Sequence, residues 1–218
     1  MKRIAAINGS PKAAGSVSGM LIEKTEEILG VKIDVFQATK LIQSEKAPET
    51  IADILEAEIL LIVFPLYVDS LPAPLVKLLM LIQQSAKTSN SPLPVVYAIC
   101  NCGFYEAEHN TLALRMLRSF ADRAGLGWGY GIGIGCGGFL PSVSKNMKKG
   151  PAANVHEALY SLCETIRIND FKEHGDVLVT PKIPRFLYRL AGEIGWLQMA
   201  RKNGVLRQLN AKPHAGAK

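Results

Sequence analysis

The sequence predicts an α/β fold in which a five-stranded parallel sheet carries helices on both faces. Apolar runs that read as buried parallel strands recur at about 4–7, 31–36, 59–64, 94–100 and 126–135. Segments of helical spacing separate these runs. A glycine- and serine-rich loop follows the first run directly, at the point where a strand hands over to a helix. Right-handed crossovers make strands joined by helices lie parallel, and the ligand crevice then opens at the strand C-termini.

Each element has its own signal. After the first strand and the loop Asn8–Ser18, Met20, Leu21 and the stretch Glu23–Leu29 carry the first helix. Ile51, Ile54 and Leu55 mark the helix before the third strand, Ile59-Leu60-Leu61-Ile62-Val63-Phe64. Leu75, Leu78, Leu79 and Ile82 mark the helix after it. Leu112, Leu114, Leu117, Phe120 and Ala121 follow the fourth strand, and Val155, Leu159, Leu162 and Ile166 follow the fifth. The pattern is βαβαβαβαβα over residues 1–180. Beyond Thr180, Pro181 and Pro184 break the chain before Phe186–Met199, which mixes aromatic and apolar residues with Arg185, Arg189 and Arg201. Residues 181–218 are therefore expected as a basic helical extension, with 210–218 frayed at its end.

A chain of 218 residues suits one domain of ordinary size with an appendage. Its apolar runs stop far short of the roughly 18 to 20 residues of a membrane span. The four apolar residues before Asn8 are too few for a secretory signal, so a cytoplasmic protein is expected. Cys100, Cys102, Cys136 and Cys163 form no C-x-x-C pair, which argues against zinc and iron–sulfur sites and for reduced thiols. The net charge of +6 is unevenly placed: eight of the 25 Lys/Arg and one of the 19 acids lie in 181–218. That segment is +7 and residues 1–180 are −1, so the high pI is no argument for a nucleic-acid-binding domain.

Three loops at strand C-termini could carry chemistry. Asn8-Gly9-Ser10-Pro11-Lys12-Ala13-Ala14-Gly15-Ser16-Val17-Ser18 offers backbone N–H groups, three serine hydroxyls and a helix N-terminus, all suited to a phosphate. It contains neither G-x-G-x-x-G nor a P-loop, which disfavours a dinucleotide Rossmann site and an NTPase. An ordinary turn with a serine N-cap is the competing account. The second loop, from Pro65 to Lys77, places Tyr67 between a stiff exit and a proline-rich approach to the next helix, as a planar ring would need; a tyrosine covering the sheet end is the alternative. In the third, Asn101-Cys102-Gly103-Phe104-Tyr105, glycine permits close backbone approach and Asn101 can pair with an amide-rich ring edge, while both C-x-C thiols read as structural. Alternating glycines from Gly131 to Gly135 clear one strand face for either a helix or a ligand. His109, His156, His174 and His214 have no metal-ligand spacing, and G-x-S-x-G is absent.

Together GSPKAAGSVS (9–18), PLYVDSLPAPLVK (65–77) and NCGFYEAEHN (101–110) resemble the flavodoxin-like NAD(P)H-dependent FMN reductases. The likeness covers about residues 1–170. It implies a flavodoxin-like three-layer sandwich with strand order 2-1-3-4-5, the order the flavodoxin fold exemplifies. It implies FMN held at its phosphate by Ser10, Lys12, Ser16, Val17 and Ser18. Pro65, Leu66, Tyr67 and Val68 would line one side of the ring, and Asn101, Cys102, Gly103 and Phe104 the other. No catalytic side chain is needed, because flavin N5 carries the chemistry. The reductant would be NADPH or NADH, the acceptor a flavin, quinone, nitro or azo compound or ferric chelate, and the assembly a homodimer. Two departures stand out: Ser16-Val17-Ser18 where relatives often have Gly-Asn-Thr or Ser-x-Thr, and a cysteine in the third loop where they often have Thr-x-Gly. The alternatives are a flavodoxin-like electron carrier and a non-catalytic binding protein whose basic tail docks on an acidic partner or a membrane surface.

Overall fold

The structure, a computed structural model, describes residues 2–12, 14–168 and 175–211. His174, His214 and residues 212–218, where fraying is expected, lie outside the described residues. The chain divides into two compact units, Met1–Lys182 and Ile183–Lys218. In order the elements are β1 (Ile4–Asn8), α1 (Val17–Leu29), β2 (Asp34–Gln37), α2 (Ala38–Leu41), α3 (Ala47–Leu55), β3 (Ile59–Pro65), α4 (Ala73–Ala86), β4 (Val95–Asn101), α5 (Thr111–Ala124), β5 (Gly127–Ile134), α6 (Leu140–Val143), α7 (Ala153–Ile168), β6 (Val177–Val179) and α8 (Arg185–Lys202). Among the described residues the second unit comprises α8 and a short 3-10 turn, Leu206–Gln208.

The sheet is parallel throughout, in the order β2-β1-β3-β4-β5-β6. The first five strands follow the flavodoxin-like order, but the expectation of five strands is corrected to six. The added strand pairs Ile132–Ile134 with Val177–Val179. Its three residues are too short to show a period in the sequence, and it depends on a side chain outside any strand: Asp176 Oδ1 accepts a hydrogen bond from Gly131 N at 2.7 Å. β2 also starts later than the apolar run, because the Ile33 amide donates to Glu26 Oε2 at 2.8 Å instead of joining the ladder.

The continuous apolar runs have a direct packing explanation. Successive side chains of a strand point to opposite faces. Ala5, Ile7, Leu60, Ile62, Phe64, Ala98 and Cys100 therefore meet Ile54, Leu75, Leu78, Ile82, Leu114 and Leu117 of α3, α4 and α5. Ile4, Ala6, Leu61, Val63, Ile99, Ile132 and Ile134 meet Leu21, Ile22, Val155, Leu159, Leu162 and Ile166 of α1 and α7. Each strand loses its pattern if either helical layer is removed, so the two layers and the sheet specify one another.

The β5 glycines are resolved in favour of close packing. A Cβ on Gly131 would lie 2.6 Å from Leu114 of α5, and one on Gly135 would lie 2.3 Å from the Tyr105 carbonyl oxygen. α5 and the 105–110 segment fill the space that the missing side chains leave.

Candidate functional site

β1 lies between β2 and β3, so chain progression reverses at this point and the C-terminal ends of β1, β3 and β4 sit side by side. Asn8 is level with Val63, and Pro65 with Asn101. Neighbouring strands are about 4.8 Å apart, so the three loops emerge from one rim.

The first loop is tied down by its own polar groups. Asn8 Oδ1 accepts from Ser10 N at 3.0 Å, and Gly9 N donates to Val63 O at 2.8 Å. Ser10 Oγ accepts from Lys12 N at 3.3 Å, and the Gln37 amide donates to the Ser10 carbonyl. Lys12 Nζ donates to Gly15 O at 3.0 Å, which folds its charge across the loop. Ser16 is the N-cap of α1, its hydroxyl accepting from Gly19 N at 3.0 Å. The cap leaves the Val17 and Ser18 amides, at the start of α1, without intrahelical acceptors. With the helix dipole and the Lys12 ammonium they make a positive, donor-rich concavity. Two glycines make this shape accessible. Gly15 has φ +62°, and a Cβ on Gly9 would lie 2.8 Å from both Leu75 and Phe64. A cavity of about 590 Å³ adjoins the loop at Asn8, Gly15, Ser16 and Gly19, with Pro141 and Ser144 also lining it.

Ser18 is placed differently from the other two serines. It is almost fully buried, and its hydroxyl accepts from Asn101 Nδ2 at 3.2 Å. Asn101 Nδ2 also donates to Phe64 O at 3.0 Å. The Asn101 amide therefore joins α1, β3 and β4 beneath the rim instead of reaching out from it.

In the second loop, Leu66 is buried and its amide donates to Asn101 O at 2.8 Å. Tyr67 and Ser70 exchange backbone hydrogen bonds, each of 3.0 Å, around a two-residue turn in which Val68 (φ +48°) and Asp69 (φ +55°) are both left-handed. Positive φ is uncommon for any side chain and a marked outlier for a β-branched one. Tyr67 is half exposed and Val68 is 97% exposed.

The third loop is held by the exit of β5. Cys102 N donates to Ile134 O at 2.9 Å, Gly137 N to Cys102 O at 2.7 Å and Cys136 N to Phe104 O at 2.6 Å. A Cβ on Gly103 would meet nothing within 4 Å, and Phe104 is exposed with its ring 4.3 Å from that of His109. Cys102 is buried and accepts from Asn110 Nδ2 at 3.4 Å. Burial pushes its thiol up despite hydrogen bonds to Phe104 and Asn110, and pushes Cys136 up to about 11. Cys100 is likewise raised, chiefly by burial. Burial thus disfavours the thiolate, the nucleophilic form, at all three cysteines.

The rim thus sorts the residues singled out from the sequence. Lys12, Tyr67, Val68, Gly103 and Phe104 are exposed, whereas Ser10, Ser16, Ser18, Leu66, Asn101 and Cys102 are buried supports; Pro65 and Val17 lie between. Sequence reasoning missed Asn8, Gln37 and Asn110 as organisers. The Asn-Gly pair at a strand end is a recognisable turn signal for the first, but the positions of Gln37 and Asn110 carry none.

No family model and no curated protein matches the chain. Solved structures do. An NADH:FMN oxidoreductase in its apo form is 17% identical over 78% of this chain and 90% of its own, with TM-score 0.59. An azoreductase from Bacillus anthracis is 12% identical over 76% and 100%, with TM-score 0.52. The rubredoxin oxygen:oxidoreductase of Desulfovibrio gigas is 11% identical over 79% of this chain and 36% of its own, with TM-score 0.54, so the chain spans about a third of that protein. At these identities the likeness is one of fold.

Proposed function

We propose that the chain is an FMN-dependent NAD(P)H oxidoreductase acting on a small acceptor. The observation that carries this reading is the juxtaposition, on one rim, of a donor-rich loop at a helix N-terminus with loops presenting Tyr67 and Phe104. The solved proteins that share the fold include an NADH:FMN oxidoreductase and an azoreductase.

The residues present fit FMN. The Ser10 and Ser16 region, the first amides of α1 and Lys12 would hold a phosphate, and Gly9 and Gly15 let backbone approach it. Pro65, Leu66, Tyr67 and Val68 would border one side of a planar ring, and Gly103 and Phe104 the other, with Asn101 and Cys102 supporting that loop from beneath. When bound, FMN supplies a flavin N5 that takes hydride from NADPH or NADH and passes electrons to the acceptor. The amides of Leu66, Tyr67 and Cys102 are already committed to Asn101 O, Ser70 O and Ile134 O. Those of Val68 and Phe104 make no hydrogen bond among the described residues, and are the donors available to stabilise negative charge at the ring edge. Ser18 and Asn101 act beneath the site, fixing the loops relative to one another.

Candidate acceptors are free flavin, a quinone, a nitro or azo compound, or a ferric chelate, and the working assembly is a homodimer. Among the described residues no helix is long and apolar enough to cross a membrane. The test is an absorbance spectrum with added FMN, followed by anaerobic NADPH or NADH while the band at ~450 nm is monitored. Bleaching is expected. Bound flavin that does not bleach would convert the reading to an electron carrier, and absence of flavin binding would overturn it.

A further inference from the structure

A second cavity, of about 310 Å³, shares Ser144 with the one beside the first loop and is lined by Lys24, Glu27, Lys145, Lys148, His156 and Tyr160 among its residues. They come from three pieces of chain: the C-terminal half of α1, the segment after α6, and α7. The middle piece is anchored, because Met147, between the two lysines, is 3% exposed and packs in the α1/α7 core. Lys24 pairs with Glu27 at 2.6 Å, whereas Lys145 and Lys148 make no ion pair among the described residues. The half-buried His156 is held below its ordinary value first by burial and then by Lys148, with Glu157 opposing and Lys24 adding to the effect. Positive charge therefore converges on a concave space, and the histidine beside it gains a proton more readily once an anion enters.

We propose that this cavity is a binding site for a small phosphoryl-bearing anion, separate from the Asn8–Ser18 loop and independent of the flavin reading. The donor set argues for that class. Lysines act as compact point charges that suit phosphate oxygens, and no arginine fork is present to select a planar carboxylate. The volume is at the small end of ligand cavities, which suits a pyrophosphate or a small phosphate ester and excludes a whole dinucleotide. Binding takes up a proton on His156, so it tightens as pH falls through the histidine range.

The test uses the intact protein and inorganic pyrophosphate. The His156 imidazole signal, assigned by its loss in His156→Gln, is titrated by NMR with millimolar pyrophosphate and with sodium chloride of matched ionic strength. Pyrophosphate is expected to raise the His156 pKa by about one unit over the chloride control. The double variant Lys145→Gln/Lys148→Gln should abolish that rise, while Ser16→Ala, which alters the first loop, should leave it intact. Equal titration curves in pyrophosphate and chloride, or a rise that survives in the double lysine variant, would overturn the proposal. Neither outcome bears on whether FMN binds.

Discussion

Replacing Val68 with asparagine should stabilise the protein, although the change puts a polar residue in place of an apolar one. The turn Tyr67–Ser70 is closed by two backbone hydrogen bonds and holds Val68 at φ +48° and Asp69 at φ +55°, the conformation of a two-residue hairpin turn that favours Asn-Gly. An ordinary side chain in this region costs roughly 1–2 kcal/mol, and a β-branched one is the least tolerated. Burying a valine fully would contribute about 1.5–3 kcal/mol, but Val68 is 97% exposed, so almost none of that is lost. Asparagine occupies the left-handed region far more readily, and the net gain should be about 1 kcal/mol, or about 2–4 °C in Tm for a chain of this size. Val68→Ala, which removes the branch but keeps a Cβ, should gain less. The assay is thermal unfolding by circular dichroism, supported by urea titration. A Tm for Val68→Asn equal to or below that of the parent would refute the claim that this turn is strained.

Three further outcomes follow from the same geometry. Asn101→Ala removes the donor that joins Phe64 O to Ser18 Oγ under the rim; it should cost about 2 kcal/mol in urea unfolding and weaken FMN binding in a fluorescence titration, because a buried carbonyl is left unpaired. Gly135→Ala should lower stability by about 3 kcal/mol or prevent soluble expression, since its Cβ would press against backbone of Tyr105 and Ala107 that cannot swing aside. Burial pushes Cys136 up to about 11 and Cys163 up to about 12, above the ordinary thiol value of 9.0. Their contribution to stability is therefore complete below pH 9 and is lost as pH rises through 9 towards 11–12. A thiol reagent at pH 8 should leave the native protein largely unreacted and titrate all four cysteines once it is unfolded.

Much of the architecture is legible in the linear chain, because burial on two faces forces five apolar runs with helical spacing between them, and crossover handedness then leaves few arrangements. The three rim loops are legible for a related reason: Gly9, Gly15 and Gly103, the serines and the prolines are local choices that mark where backbone must turn or lie open. The solved structures that match the chain share this fold.

What tertiary structure alone decided are the pairings between residues distant in sequence. Whether Asn101 reaches outward or inward depends on Ser18, 83 residues away, and on Phe64 across the sheet. The strand Val177–Val179 exists because β5 offers an edge and Asp176 can hold Gly131, and a three-residue run carries no period of its own. The left-handed Val68 violates local preference because two hydrogen bonds over-determine the turn. The lysine-rich cavity is assembled from α1, α7 and the segment between α6 and α7, none of which shows a motif alone. Local propensity and periodicity are written residue by residue, whereas these features arise when the folded chain brings together groups whose separation in sequence has no pattern to read.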